Sequence, residues 1–158
     1  MKPENLIILT CPDWESVPIS LLLLADPDEK RLEAYIKTGS CYIAKIEDTI
    51  IGVLVLKEIN PTTLEIKNIA IDEPFQGYGF GSHLLNFASE VARDQGYKSL
   101  IIATGNSSIG QLKLYQRIGF EIFDIEMNYF TLEYQAPIYE NGIQCKHKIF
   151  LRKDLNNN

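Results

Sequence analysis

Gln76-Gly77-Tyr78-Gly79-Phe80-Gly81 is the stretch on which the reading of this chain turns. Three glycines alternate with two aromatic residues behind one polar residue. Upstream lies an apolar run of strand composition, Leu64 to Ile71, and downstream Ser82 to Gln95 has a helical period. Strand, glycine-rich turn and helix in that order make an anion site. Backbone N–H groups converge at the helix N-terminus, and the helix dipole favours negative charge there. Glycine suits the turn because a Cβ bars the unusual φ/ψ values and holds a phosphate away. Two well-known phosphate loops fail against it. A Walker A loop ends Gly-Lys-Ser/Thr, whereas this run ends Gly81-Ser82-His83. The dinucleotide fingerprint needs a third glycine where Ser82 stands, and an acidic residue where Thr104-Gly105-Asn106 follows the next strand. A tight glycine turn without a ligand is the plain alternative.

The totals bound the rest. A chain of 158 residues is read as one domain, residues 1–158, with enough length for a hydrophobic core. Its 46% hydrophobic and 23% charged residues are ordinary for a globular protein. The net charge of −6 argues against nucleic acid, which calls for a basic face. Cys11, Cys41 and Cys145 are odd in number and lack a C-x-x-C spacing, so they read as reduced thiols. With only His83 and His147, no histidine-based metal site is expected. Met1 to Asn5 is no signal peptide and no apolar run reaches membrane-spanning length, so the expected place is the cytoplasm, without membrane contact.

Taken in order, Leu6 to Leu9 reads as a strand, Trp14 to Ala25 as partly helical, and Asp28 to Lys37 as a second helix behind its cap. Cys41 to Ile46, Ile50 to Glu58 and Leu64 to Ile71 form a predicted antiparallel meander. Strict alternation along the third strand puts Glu65, Lys67 and Ile69 on one face and Ile66, Asn68 and Ala70 on the other. The helix after the glycine turn carries Leu84, Leu85, Phe87, Ala88, Val91 and Ala92 inward. Leu100 to Ala103 is apolar throughout, which predicts a central strand parallel to Leu64–Ile71 in a right-handed crossover. Ile109 to Ile118 is helical, Phe120 to Met127 a strand, and Cys145 or Lys146 to Arg152 the last strand before a polar tail, Lys153–Asn158.

The run at 76–81 fits Q-x-x-G-x-G/A, and the order β, αα, βββ, α, β, α, ββ fits the same family: the chain resembles the GNAT family of N-acetyltransferases. Tyr115-x-x-x-Gly119-Phe120 is similar to the family's second signature. The resemblance implies an α/β (α+β) fold, a mixed, mostly antiparallel sheet with a central parallel βαβ pair flanked by helices. It implies transfer of an acetyl group from acetyl-CoA to a primary amine by direct attack, with no metal. In that family the strand before the loop pairs with the pantetheine arm, a role that falls on Ile69, Ala70 and Ile71. The pyrophosphate falls on the amides of Gln76, Gly77, Tyr78, Gly79, Phe80, Gly81 and Ser82. Tyr115 corresponds to the acid that meets the leaving thiolate, Glu65 to the base, and the N–H of Ile71 to the group that polarises the carbonyl. Glu58 and Asp72 stand in reserve as bases. The chain departs from the family pattern twice. Glu73, followed by Pro74, stands where a proline is usual, and Ser108 stands where a cofactor-binding asparagine is usual. Asn106, two residues earlier, is the expected substitute. Competing readings are a non-catalytic acyl-CoA sensor, a core role for Tyr115, and a solvated Glu65–Lys67 pair.

The stretch Asn128–Gln144 is read as irregular, long and aromatic, with Tyr129, Phe130, Tyr134 and Tyr139 among Glu133 and Glu140. Aromatic faces beside carboxylates suit a cationic amine, held between this stretch and residues 14–37. A hydrophobic cap or the contact of a homodimer is the alternative. The acceptor is a small-molecule or peptide amine, and nothing in the sequence names it.

Overall fold

The computed structural model describes residues 5–156. Met1–Glu4, read above for a leader, and the last two residues of the polar tail lie outside the described residues. Seven strands form one sheet in the order β1-β2-β3-β4-β5-β9-β6. These are β1 (Leu6–Thr10), β2 (Ser40–Ile46), β3 (Thr49–Asn60), β4 (Thr63–Ile71), β5 (Ser99–Gly105), β6 (Glu121–Glu126) and β9 (Lys148–Asp154). A separate hairpin pairs β7 (Ile138–Glu140) with β8 (Ile143–Cys145). Among the described residues only β4 and β5 run parallel; the other pairings are antiparallel.

Helices cover both faces. On one, α3 (Phe80–Asp94) and α4 (Ile109–Ile118) pack over the apolar side of β3, β4, β5 and β9. The helical period of α3 brings Leu84, Leu85, Ala88 and Ala92 to full burial. Each buried leucine contributes about 1.5–3 kcal/mol. On the other face, α1 (Ile19–Ala25) and α2 (Glu29–Ile36) cover Val53, Val55 and Ala70 through Leu21, Leu22, Leu32 and Ile36. Asp28 caps α2 as its position suggests, accepting hydrogen bonds from the amides of Lys30 and Arg31 at 3.0 and 3.4 Å.

Two sequence expectations give way. Residues 128–144 are not irregular: they hold α5 (Tyr129–Glu133) and the β7–β8 hairpin. Asn141 and Gly142 both take positive φ, 56° and 74°, the backbone of a two-residue hairpin turn. The alternation along β4 breaks at Lys67, because Val55 pairs with Asn68 and the adjacent Leu56 with Ile66. Lys67 is the extra residue of a β-bulge. Leu64, Ile66, Ile69 and Ile71 therefore face α3, while Asn68 and Ala70 face α1 and α2. Cys11 and Cys41, distant in sequence, come together on β1's exit and β2, the Cys11 amide donating to the Cys41 carbonyl at 2.8 Å, and both are free cysteines. Burial, then the neighbouring Cys11, pushes the Cys41 thiol up to about 12.

Candidate active site

The site begins where β4 and β5 part. They pair only over Thr63–Ile66 and Ser99–Ile102, and both strands continue past that point. Residues 68–71 keep their partners on the β3 side, and residues 67–71 have none on the β5 side. The bulge at Lys67 sits at the start of this divergence and turns β4 away. A cavity of about 670 Å³ fills the opening. It runs through the sheet. Glu65, Asn68 and Lys148 line it from the α1–α2 face, and Gln111 and Tyr115 of α4 from the other.

Glu65 is 6% exposed, and its carboxylate lies 3.3 Å from the Lys67 ammonium, which in turn stands 5.7 Å from the Tyr35 ring centroid. Tyr115 is 5% exposed and packs against Phe120, with ring centroids 6.2 Å apart. Among the described residues no protein group receives its hydroxyl hydrogen. Burial pushes that hydroxyl's pKa well up. The reserve carboxylates are elsewhere. Glu58 accepts the Tyr97 hydroxyl at 2.8 Å, and Asp72 caps the turn Glu73–Phe75; neither lines the cavity.

The glycine loop stands apart from the cavity lining, at the end of β4. Gly77 and Gly79 have φ of 86° and 87°, a left-handed backbone that L side chains resist. Gly79 is the N-cap of α3, and the Gln76 side chain ties the loop's foot to the Ile71 carbonyl at 2.9 Å. Gly81 is helical, with only an ordinary contact to Leu114 where a Cβ would stand. Tyr78 is 45% exposed and Phe80 is core, so Phe80 offers the loop its backbone alone. Ile69 reaches the cavity; Ala70, Ile71 and Asn106 do not.

Asn106 has other work. Its Oδ1 accepts the amides of Lys146 and His147 at 2.7 and 2.9 Å, and its Nδ2 donates to the Gln144 carbonyl at 3.1 Å. It thereby pins the link between β8 and β9. Ser108 is buried in the cavity wall and donates to Glu140 at 3.2 Å. Gly105 lets the hairpin come close, because a Cβ there would collide with Cys145 Sγ.

Comparison with known proteins settles the lineage. The profile of the Acetyltransferase (GNAT) family matches residues 9–120. The chain belongs to the GNAT acetyltransferase family. As a member of it, the protein is an N-acetyltransferase. It is 46% identical over 135 residues to YvbK of Bacillus subtilis, described as an uncharacterized N-acetyltransferase, covering 85% of this chain and 87% of that one. A GNAT acetyltransferase of Elizabethkingia anophelis, solved with acetyl-CoA bound, superposes with a TM-score of 0.93 at 44% identity, covering 96% and 99% of the two chains. A Bacillus subtilis acetyltransferase in complex with CoA gives 0.90 at 42% identity, with 94% and 98% covered.

Within this GNAT fold, the outer wall of the cavity is a polar strap between α2 and α5. Arg31 donates to Asp28 at 3.1 Å, to the Tyr129 hydroxyl at 2.6 Å and to Glu133 at 2.5 Å. The Tyr134 hydroxyl donates to Asp26 at 3.0 Å. The rings foreseen as a seat for a cationic acceptor already hold the protein's own cation: the Arg31 guanidinium lies 5.6 and 5.1 Å from the Tyr129 and Tyr134 centroids. Arg31→Ala opens this wall. We expect the acceptor KM to rise about tenfold, in line with hydrogen bonds to charged groups worth about 1.5–3 kcal/mol, with acetyl-CoA affinity unchanged. An unchanged acceptor KM in steady-state kinetics removes the strap from the acceptor site.

The sequence reading passed over Arg31, Asn68 and Lys148. Asn68 is buried, and its Nδ2 donates to the Leu22 carbonyl and the Tyr35 hydroxyl at 3.0 and 2.9 Å. Its Oδ1 has no partner among the described residues. A polar residue inside an otherwise apolar strand end was the available signal.

Proposed function

We propose that the protein moves the acetyl group of acetyl-CoA directly to an amine held in the same cavity, in a ternary complex. The observation that carries this reading is the opening between β4 and β5, which Glu65 enters from one face of the sheet and Tyr115 from the other. The chain fits the donor. Residues 69–71 keep one edge free for strand addition by the pantetheine arm. The amides of residues 76–82 lead into the N-terminus of a fifteen-residue helix, which suits a pyrophosphate. The acetyl-CoA and CoA bound to the two structural relatives support the same choice.

Acetyl-CoA supplies an acyl group activated as a thioester. Holding the two reactants together accounts for a large share of the barrier, ~7–11 kcal/mol for well-oriented pairs. Glu65 takes the proton from the ammonium, and Asn68 Oδ1 accepts a second hydrogen bond from it. An N–H of the bulged segment 67–69 faces the carbonyl oxygen; Ile71, the first choice from sequence, lies outside the cavity lining. Tyr115 donates its hydroxyl hydrogen bond to the sulfur. Burial disfavours the phenolate, so Tyr115 keeps its proton and holds the sulfur by that bond, while the second proton shed by the attacking nitrogen goes to the sulfur as the C–S bond breaks and CoA leaves as the thiol. Ser108 takes the cofactor contact expected of Asn106, whose Oδ1 and Nδ2 are both turned to the link between β8 and β9. The reduced thiols keep the cytoplasm as our placement.

The test is thiol release from acetyl-CoA over a panel of amines, with products identified by mass. Acetyl-CoA binding without release to any amine points to a sensor. Tyr115→Phe keeps the ring and its packing, so we expect kcat to fall about 10- to 100-fold with the Kd for acetyl-CoA unchanged by calorimetry. An unchanged kcat makes Tyr115 structural.

A further inference from the structure

Most charges around the cavity are matched within the protein. Arg31 lies between Asp28 and Glu133, and Lys67 lies against Glu65. Asp26 accepts the Tyr134 hydroxyl and Glu140 the Ser108 hydroxyl. Lys148 differs. Its backbone sits between Gly105 of β5 and Glu126 of β6, and its side chain lines the cavity. The Nζ stands 4.4 Å from the Tyr129 centroid and 5.1 Å from that of Phe150. Among the described residues it makes no ion pair, and no protein acceptor takes its N–H groups. Two ring faces attract an ammonium but leave its donors unused. Burial, and then the charge of Lys67, lower its pKa against the smaller opposite pull of the Glu65 and Glu126 carboxylates, neither of which reaches it as an ion pair. An unpaired, desolvated cation is costly, and an anion brought into the cavity is what relieves it.

We propose that Lys148 binds a carboxylate carried by the acceptor, so that the substrates are small amino acids whose amine faces Glu65 and Asn68. The inference rests on the acetyltransferase reading above. Lys57 also lines the cavity without an ion pair among the described residues, but Lys148 is the lining ammonium set over two ring faces, and its one positive charge matches a singly charged carboxylate. The phosphates of the donor are not competitors here, because the glycine loop lies outside the cavity lining. The cavity then presents acceptors for the ammonium and a donor for the carboxylate, matching both ends of a zwitterion.

The experiment compares amino acids, α and ω, with their carboxamides, which have nearly the same size and lack only the charge. For the acids that are substrates we expect kcat/KM at least tenfold above that of the carboxamide, mostly through KM. Lys148→Met should erase that preference while calorimetry finds acetyl-CoA binding within twofold of the parent. Parent protein that acetylates carboxamides as well as acids overturns the inference and leaves the acetyltransferase reading standing. So does a folded Lys148→Met that keeps the preference. Failure of every amine and amino acid to be acetylated, with acetyl-CoA bound, overturns both. If Lys148→Met does not fold, the comparison of acid with carboxamide on the parent still decides.

Discussion

Glu65→Gln lowers kcat by ~10²–10⁴ and leaves the affinity for acetyl-CoA within twofold. The amide preserves the shape of a side chain that is 8% exposed, but it can no longer take a proton from an ammonium. Neither reserve carboxylate can replace it, since Glu58 is bound to Tyr97 and Asp72 to its own turn. The substitution also removes the partner of Lys67. That loss is moderate, because Lys67 is 27% exposed and keeps its place over the Tyr35 ring. The melting temperature should therefore fall by a few degrees with the fold retained. Single-turnover rates at saturating acetyl-CoA separate chemistry from release. A rate within threefold of the parent in a folded variant means Glu65 is a structural partner of Lys67, not the base.

Gly79→Val should raise the Kd for acetyl-CoA at least a hundredfold. Two effects combine at this residue. A β-branched side chain is strained at a φ of 87°, by about 1–3 kcal/mol. Its methyl groups also occupy the space that the pyrophosphate needs next to the helix N-terminus. Gly96→Val separates the two. Gly96 closes α3 at its other end with φ 86° and open space around it, so it carries similar strain without touching the loop. Comparable losses of melting temperature with an affinity change only at Gly79 support the loop. Tight binding by Gly79→Val sinks the assignment.

The parts of the fold that were legible in the sequence share one property: a periodic apolar pattern longer than its own noise. The period of α3 and the unbroken apolar run of β5 placed the parallel pair with β4 before any coordinates. The Lys67 bulge was invisible, because an extra residue shows only against the partner strand, in the step from Val55–Asn68 to Leu56–Ile66. The β7–β8 hairpin was legible and missed. Asn141-Gly142 between Ile138-Tyr139-Glu140 and Ile143-Gln144-Cys145 is a strong two-residue turn signal. Five-residue α5 offered no comparable signal, since it is too short for a period. At the site, Glu65 and Tyr115 came from motif spacing and do share a cavity. Arg31 and Lys148 could not, because their importance lies in tertiary contacts with Tyr129, which no local pattern or motif spacing reports.

The cavity that passes through the sheet also bears on the order of events. Its lining draws on both sides of the sheet, with Gln111 and Tyr115 on α4 and Leu23, Arg31 and Tyr129 across from them. If donor and acceptor approach from opposite sides, either can bind first, and product-inhibition kinetics should then show a random order of addition.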